Sequence, residues 1–217
     1  MKYKYVLFDL DGTLTDSKEG ITKSVQYSLK KYGIIVNDLD LLEKFIGPPL
    51  KESFIKYYKF DELKSVQAVE YYREYFKKYG IFENKVYENV EVLLAKLKKS
   101  GFNLIIATSK PTVFARRIIK HFNLYAYFDD IVGSNMDGTR STKGEVIKYI
   151  LDKYNIVNHG EVVMVGDRKH DIVGARENNI NCIAVSYGYG SIEELRTSGP
   201  KYIAENLLDV FKLITNE

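Results

Sequence analysis

The alternation of short apolar runs with longer amphipathic segments in the second half of the chain constrains the fold most strongly. Short strands separated by helices are typical of a mainly parallel sheet that carries helices on both faces. The apolar runs predict strands at residues 5–9, 104–107, 130–133, 162–165 and 182–185. The intervening segments predict helices at residues 88–99, 111–121, 143–154 and 168–178. We therefore expect an α/β fold.

The region between the first two predicted strands has a different pattern. From about residue 19 to residue 79, apolar side chains recur at helical spacing, as at Ile21, Val25 and Leu29. Gly47-Pro48-Pro49 divides this region into two predicted helix pairs, because proline ends a helix. The sequence thus predicts a Rossmann-like core with an inserted all-helical cap domain. The predicted boundaries are 1–15 and 82–217 for the core and 16–81 for the cap.

The composition excludes several classes of protein. Hydrophobic residues make up 45% and charged residues 28%, a balance that rules out a disordered chain. The apolar runs are much shorter than the roughly 20 residues of a membrane span, and the alternating charges indicate no nucleic-acid polymer as partner. Cys182 is the single cysteine, so no internal disulfide can form. The N-terminus is unlike a signal peptide, and together with the absence of a disulfide this predicts a cytoplasmic location. We expect a monomer or homodimer without a membrane partner.

Polar and charged residues follow the predicted strands at the edge where such sheets bind ligands. Two acids follow the first strand, two hydroxyl residues follow the second and two acids follow the fourth. A lysine opens the helix after the third strand. These residues are Asp9, Asp11, Thr108, Ser109, Asp167, Asp171 and Lys143. Four carboxylates, two hydroxyls and one ammonium group are therefore expected to converge.

The acids at this edge indicate a cation site. Asp9 and Asp11 are two residues apart and point to the same side if the strand continues. Because two close carboxylates repel each other, one takes a proton unless a cation lies between them. With Asp167 and Asp171 they form an oxygen-rich set of the kind that Mg²⁺ prefers, although Mn²⁺ also accepts such sites.

The remaining residues at the edge indicate a phosphate site. Gly12 offers a backbone N–H group, and Thr108 and Ser109 offer hydroxyls to phosphate oxygens. The helix predicted to begin near Pro111 directs the positive end of its dipole toward the same point. Lys143 neutralises the remaining negative charge. The set is therefore typical of phosphoryl transfer, with an aspartate available as nucleophile.

These residues, taken in order, resemble the four motifs of the haloacid dehalogenase superfamily of phosphatases. The matching segments are residues 9–14, Thr108, Lys143 and Gly166-Asp167 with Asp171. The helical insert resembles the cap of the phosphoglycolate phosphatase-like branch, and residues 45–50, 166–171 and 187–191 resemble a 5′-nucleotidase-like subgroup. Arg168 stands where many relatives have a small hydroxyl residue, and this departure weakens the support that the resemblance gives to phosphoglycolate as the substrate.

The resemblance implies a role for each matching residue. Asp9 would be the nucleophile, and Asp11 would protonate the leaving oxygen and then activate water. Thr108 would bind phosphate, and Lys143 would order the phosphate and the nucleophile. The implied metal ligands are the side chains of Asp9 and Asp167 and the carbonyl of Asp11. Asp171 would support these ligands or contact the metal directly.

The expected function is Mg²⁺-dependent hydrolysis of small phosphate monoesters through an aspartyl-phosphate on Asp9. Phosphoglycolate and nucleoside 5′-monophosphates are the expected substrate classes, and the cap would close over the substrate. A phosphomutase, a phosphate-ester binding protein without turnover and a protein-directed phosphatase are the alternatives. The sequence leaves open the roles of Lys110, Arg168, His170 and the loop at residues 47–49.

Overall fold

The structure is a computed structural model that describes residues 3–216. The chain forms two compact units, one of which is Asp16–Lys85. The rest of the described chain, before Asp16 and after Lys85, forms the other. The predicted core boundaries at residues 1 and 217 lie outside the described residues.

The strands and helices follow one another along the chain in an order close to the predicted one. The strands are β1 (Tyr5–Phe8), β2 (Thr15–Asp16), β3 (Lys85–Val86), β4 (Asn103–Pro111), β5 (Asp130–Ser134), β6 (Val162–Gly166), β7 (Asn181–Val185) and β8 (Tyr202–Ala204). The helices are α1 (Lys18–Lys30), α2 (Leu50–Tyr58), α3 (Glu62–Tyr75), α4 (Val90–Lys99), α5 (Thr112–His121), α6 (Lys143–Lys153), α7 (Lys169–Glu177), α8 (Ile192–Ser198) and α9 (Leu207–Thr215).

The larger unit is built on a six-stranded parallel sheet with strand order β5-β4-β1-β6-β7-β8. Its inner strands are rich in buried Val, Ile, Leu, Met and Phe residues, as expected for a sheet covered on both faces. The α/β prediction is confirmed. Because β1 lies between β4 and β6, the carboxyl ends of these three strands are neighbours at the point where the strand order reverses.

The structure differs from the predicted elements in two places. β4 continues to Pro111 instead of ending at Ala107, because its pairing with β5 shifts register between these two residues. The sequence pattern also did not predict β2, β3, β8, α8 or α9. β8 is a three-residue edge strand that is separated from Gly199-Pro200 by one residue, and such a short run has little periodicity to detect.

The smaller unit is helical, as the apolar spacing predicted. It contains α1, a 3₁₀-helix at Leu39–Phe45, α2, α3 and a π-helical turn at Phe76–Gly80. The side chain of Asp61 accepts a hydrogen bond from the Lys64 N–H and so caps α3. No helix within residues 3–216 combines the length and the apolar character that a membrane span requires.

Candidate active site

Three buried aspartates meet at the carboxyl ends of the central strands. Asp9 follows β1, Asp167 follows β6, and Asp171 lies in the first turn of α7. One carboxylate oxygen from each lies within 4.8 Å of the other two. We call these three residues the acid cluster. The N–H of Asp9 donates to the Val165 carbonyl at 2.9 Å, so Asp9 is held in line with the sheet.

Lys143 provides the ammonium group that pairs with two members of the acid cluster. Its Nζ lies 2.7 Å from Asp9 Oδ1 and 2.8 Å from Asp171 Oδ1, and it donates to the Ala107 carbonyl at 2.8 Å. Burial lowers the pKa of Lys143, but the two carboxylates outweigh this effect and leave it raised, so the side chain stays charged. A capping box between Thr142 and Glu145 fixes the start of α6 and thereby the position of Lys143.

Asp167 accepts two hydrogen bonds from the protein. The Thr13 hydroxyl donates to its Oδ1 at 3.2 Å, and the Tyr189 N–H donates to its Oδ2 at 2.8 Å. Burial raises the pKa of Asp167 well above its usual range, and repulsion from Asp171 and Asp9 raises it further. The carboxylate form of Asp167 therefore needs a cation beyond the Lys143 ammonium.

Both carboxylate oxygens of Asp171 have partners in the protein. Oδ1 contacts Lys143, and Oδ2 accepts from the Arg168 N–H at 3.0 Å. Burial raises the pKa of Asp171 to about 6, against the lowering effect of Lys143 and with repulsion from Asp9. A Cβ on Gly166 would lie 2.2 Å from Asp171 Cγ, so the close approach requires glycine at this position.

Asp11 is buried beside the acid cluster but pairs with a different lysine. Lys110 Nζ lies 2.9 Å from Asp11 Oδ2, and both side chains are almost fully buried. Within residues 3–216, Asp11 Oδ1 has no hydrogen-bond partner. The carboxylate of Asp11 is therefore paired with a lysine to which the sequence assigned no role.

The predicted phosphate-binding residues lie at the same edge. Thr108 is buried, and its Oγ1 accepts from the Lys110 N–H at 3.2 Å. Ser109 is half-buried and accepts through its carbonyl from the Ser134 hydroxyl at 2.9 Å. Thr108 and Ser109 thus lie in the carboxyl-terminal half of β4, and α5 begins three residues after Ser109, behind Pro111.

Gly12 shapes the site through its backbone. Its φ is +84°, and a Cβ would lie 2.2 Å from Asp167 Oδ2, so a larger residue would collide with the acid cluster. Its N–H group, which was expected to contact phosphate, donates instead to the Thr15 carbonyl at 2.8 Å.

Arg168 and His170 follow Gly166, and the sequence left their roles open. The Arg168 guanidinium contacts both carboxylate oxygens of Glu194, at 2.9 and 3.3 Å, and so ties the start of α7 to α8. His170 is half-buried, and burial, followed by Arg168 and Lys169, lowers its pKa to about 4, so it is neutral at neutral pH. The large side chain of Arg168 thus has a partner within the protein.

Sequence reasoning missed the part played by the segment after β7. Tyr187 donates through its hydroxyl to the Thr13 carbonyl at 2.9 Å, and the Tyr189 N–H binds Asp167. This segment carried a signal only as part of the subgroup resemblance. Since β7 neighbours β6, its carboxyl end reaches the same edge, and that adjacency was the available physical clue.

Comparisons with known proteins agree with this geometry. The family model for haloacid dehalogenase-like hydrolases matches residues 6–185. A 5′-nucleotidase from Pseudomonas aeruginosa is 47% identical over 207 residues, covering 95% of this chain and 93% of that protein. Tyrosine-protein kinase PtkA from Mycobacterium tuberculosis is 37% identical over 185 residues, covering 85% of this chain and 62% of that protein.

A solved structure has the same fold throughout. The crystal structure of "a predicted phosphatase from Clostridium acetobutylicum" is 54% identical, with a TM-score of 0.97 and coverage of 100% of both chains. The family match spans most of this chain and includes every member of the acid cluster together with Lys143. The resemblance predicted from the sequence is confirmed: the chain belongs to the phosphatases of the haloacid dehalogenase-like hydrolase family.

Proposed function

We propose that this enzyme hydrolyses small phosphate monoesters in a Mg²⁺-dependent reaction through an aspartyl-phosphate on Asp9. One observation carries the proposal. The buried carboxylates of Asp9, Asp167 and Asp171 lie within 4.8 Å of one another, and the charged Lys143 contacts two of them, Asp9 and Asp171. Burying such a group of charges is costly unless they are paired or bind a cation.

The residues present fit a divalent metal ion. Three carboxylates and one ammonium leave the acid cluster with an excess of negative charge in a buried place. Asp9 and Asp167 directly follow the adjacent strands β1 and β6, whereas Asp171 lies in the first turn of α7. We assign Asp9, Asp167 and the Asp11 carbonyl to the metal, with Asp171 holding Lys143. Mg²⁺ bound there supplies positive charge to the phosphoryl oxygens.

Asp9 and Asp11 divide the chemistry between them. A carboxylate oxygen of Asp9 forms a bond to phosphorus as the ester P–O bond breaks, and Asp11 gives its proton to the leaving oxygen. Asp11 then takes a proton from water, whose oxygen attacks phosphorus and breaks the bond to Asp9. The contact of Lys143 with Asp9 Oδ1 at 2.7 Å orients the nucleophile throughout.

Thr108, Ser109 and α5 form the proposed phosphate site. Thr108 follows Ala107, the last residue of β4 before its pairing with β5 shifts register. β4 also pairs with β1, the strand that leads to Asp9. The ten-residue helix α5 directs the positive end of its dipole to the same edge. These groups bind the oxygens of the transferred phosphoryl group while Lys143 offsets their charge.

The substrate class and the setting of the protein are also proposals. The resemblance to a 5′-nucleotidase supports nucleoside 5′-monophosphates, and the cap resemblance supports phosphoglycolate. We propose that residues 16–81 act as a cap domain on a core formed by residues 1–15 and 82–217. The single cysteine, which is buried, supports a cytoplasmic location.

The test measures inorganic phosphate released from phosphoglycolate, nucleoside 5′-monophosphates and sugar phosphates, with Mg²⁺ and with a chelator. Asp9→Asn keeps an oxygen facing Lys143, so the fold is retained while phosphate release falls by at least roughly 10³-fold. A matched control is available because Asp137-Gly138-Thr139 repeats the sequence of Asp11-Gly12-Thr13 in an exposed turn. Asp137→Asn should leave the rate unchanged, whereas Asp11→Asn should lower it strongly.

The outcomes separate the alternatives. Mg²⁺-dependent release that is lost in Asp9→Asn supports a hydrolase, and the ranking of kcat/KM identifies the substrate class. Isomerised phosphate ester without free phosphate indicates a mutase. Tight ester binding without either product would leave a binding protein, and release that survives in Asp9→Asn contradicts the assignment of the nucleophile.

A further inference from the structure

The segment after β7 packs tightly against Asp167, which we assign to the metal. A Cβ added to Gly188 would lie 2.3 Å from Asp167 Cβ and 2.4 Å from the Gly12 carbonyl oxygen. A Cβ added to Gly190 would lie 2.1 Å from the Asp167 carbonyl oxygen. The backbone of this segment therefore approaches Asp167 as closely as glycine permits, and any shift of the segment moves or releases Asp167.

Tyr187 connects this segment to the first motif. Its hydroxyl donates to the Thr13 carbonyl at 2.9 Å, and the Thr13 hydroxyl donates to Asp167 Oδ1 at 3.2 Å. Tyr189, two residues further, donates through its N–H to Asp167 Oδ2 at 2.8 Å. Both carboxylate oxygens of Asp167 thus depend on the placement of the Tyr187 segment.

The ring of Tyr187 fixes the direction of its hydroxyl. It packs edge-to-face on Tyr87 with ring centroids 5.2 Å apart, and both rings line a cavity of about 570 Å³ between α4 and α9. Thr13 is completely buried, so its carbonyl depends on this hydroxyl as a donor from the protein. The packing holds the ring, and the hydroxyl holds Thr13.

We propose that Tyr187 is a positioning residue for the metal: through Thr13 its hydroxyl sets the orientation of the Asp167 carboxylate toward Mg²⁺. This inference rests on the metal site of the proposed function. In this proposal Tyr187 acts on the metal only through its hydrogen bond to Thr13. Hydrogen-bond partners that orient a metal ligand typically change metal affinity by about 10- to 100-fold when they are removed.

The experiment compares Tyr187→Phe with the wild-type enzyme. The substitution removes one hydroxyl and retains the ring that packs on Tyr87. Mg²⁺ binding is measured by titration calorimetry and by the Mg²⁺-dependent rise in Tm. We expect roughly tenfold weaker Mg²⁺ binding, with kcat at saturating Mg²⁺ within about threefold of wild type. Tyr202→Phe makes the same chemical change on the edge strand β8 and should leave Mg²⁺ binding unchanged.

A merely structural role predicts a different result. It lowers Tm equally with and without Mg²⁺, so the Mg²⁺-dependent rise and the calorimetric affinity stay at wild-type values, and the proposal is overturned. Wild-type protein that binds no Mg²⁺ removes the proposed metal site and this inference together. Impaired Mg²⁺ binding in the variant alone separates the two proposals.

Thr13→Val provides a second variant if Tyr187→Phe does not fold. It removes the donor to Asp167 Oδ1 while Tyr187 stays intact. Weakened Mg²⁺ binding supports the proposed chain of contacts, and unchanged binding overturns it. Where both variants fold, the double variant should bind Mg²⁺ little more weakly than the weaker single variant, because the two residues act on Asp167 in series. Additive losses would contradict the link between them.

Discussion

Two lysines in different parts of the molecule have nearly the same contacts and opposite surroundings. Lys143 in the sheet unit lies 2.7 and 2.8 Å from Asp9 and Asp171. Lys18 in the helical unit lies 2.9 and 2.6 Å from Asp40 and Glu43. The Lys143 side chain is 2% exposed, whereas that of Lys18 is 36% exposed. Contact distances alone therefore do not show which lysine contributes more to stability and activity.

The causes of their pKa shifts show the difference. Hydrogen bonds to Glu43 and Asp40 raise the pKa of Lys18, and desolvation opposes them only weakly because water still reaches the group. For Lys143 burial is the largest influence and lowers the pKa, but the attraction of Asp171 and Asp9 reverses it. A charge that is buried depends on its partners far more than a charge that water can solvate.

Lys143→Met should produce the largest effect. It leaves the buried carboxylates of Asp9 and Asp171 without their shared ammonium, and breaking a buried ion pair costs about 3–5 kcal/mol. We expect the free energy of unfolding without Mg²⁺ to fall by this amount in urea denaturation. Phosphate release should fall by at least roughly 10³-fold, since the nucleophile loses its orienting partner. A free energy of unfolding close to that of the wild type would contradict this prediction, because the carboxylates of the acid cluster would then not need the Lys143 ammonium in the folded protein.

Lys110→Met should produce the next largest effect. It leaves the buried Asp11 carboxylate without the ammonium that lies 2.9 Å away, so the side chain proposed to transfer protons loses its fixed position. We expect kcat/KM for phosphate esters to fall by roughly 10- to 100-fold. Lys120→Met removes the same charge from the exposed face of α5 and is the control. Equal rates in the two variants would remove Lys110 from the site.

The sequence sufficed to predict strands β1 and β4 to β7, helices α4 to α7 and the edge of the sheet at which the acid cluster lies. Apolar runs of strand length alternate with helical spacing, and parallel sheets bind ligands at their carboxyl ends. Asp9 and Asp167 each follow a strand directly, and Thr108 lies in the carboxyl-terminal half of β4, so the topology alone brings them to one edge of the sheet. Lys143 is the first residue of α6, where a capping box fixes its position.

What the sequence did not predict depends on side-chain directions between distant segments. Tyr187 and Thr13 are 174 positions apart, and no local pattern shows that the hydroxyl of one meets the carbonyl of the other. The Asp11–Lys110 pair is hidden for the same reason. The use of the Gly12 N–H within its own turn was missed because it depends on how the chain folds back at Thr15.

The acid cluster should respond to pH in a way that exposed charges do not. Burial raises the pKa of Asp171 to about 6, above its value in the unfolded chain. The folded protein without Mg²⁺ therefore binds this proton more tightly, and the resulting stability is lost as pH rises from about 4 through about 6. Mg²⁺ competes with such protons, so its stabilising effect should grow with pH.

A Tm series measures this dependence. The Mg²⁺-dependent rise in Tm should be larger near pH 7.5 than near pH 5, because ligands must lose their protons to bind the metal. Asp137→Asn in the exposed turn should give the same series as wild type. A rise in Tm that is independent of pH would show that the carboxylates of the acid cluster carry no protons in this range.

Lys18→Met should have the smallest effect, although it breaks two ion pairs, as Lys143→Met does. Its carboxylate partners remain in water, since the side chains of Asp40 and Glu43 are 76% and 37% exposed. We expect the free energy of unfolding to fall by about 0.2–1 kcal/mol, and by less at high salt, which screens exposed charges. Urea denaturation of both methionine variants in one buffer makes the comparison direct. If Lys18→Met cost as much as Lys143→Met, burial would not be what separates the two sites. The expected result is a small decrease in the free energy of unfolding for Lys18→Met, which becomes smaller with salt, and a large decrease for Lys143→Met. This result would show that the same lysine–carboxylate geometry stabilises the protein much more where water is excluded.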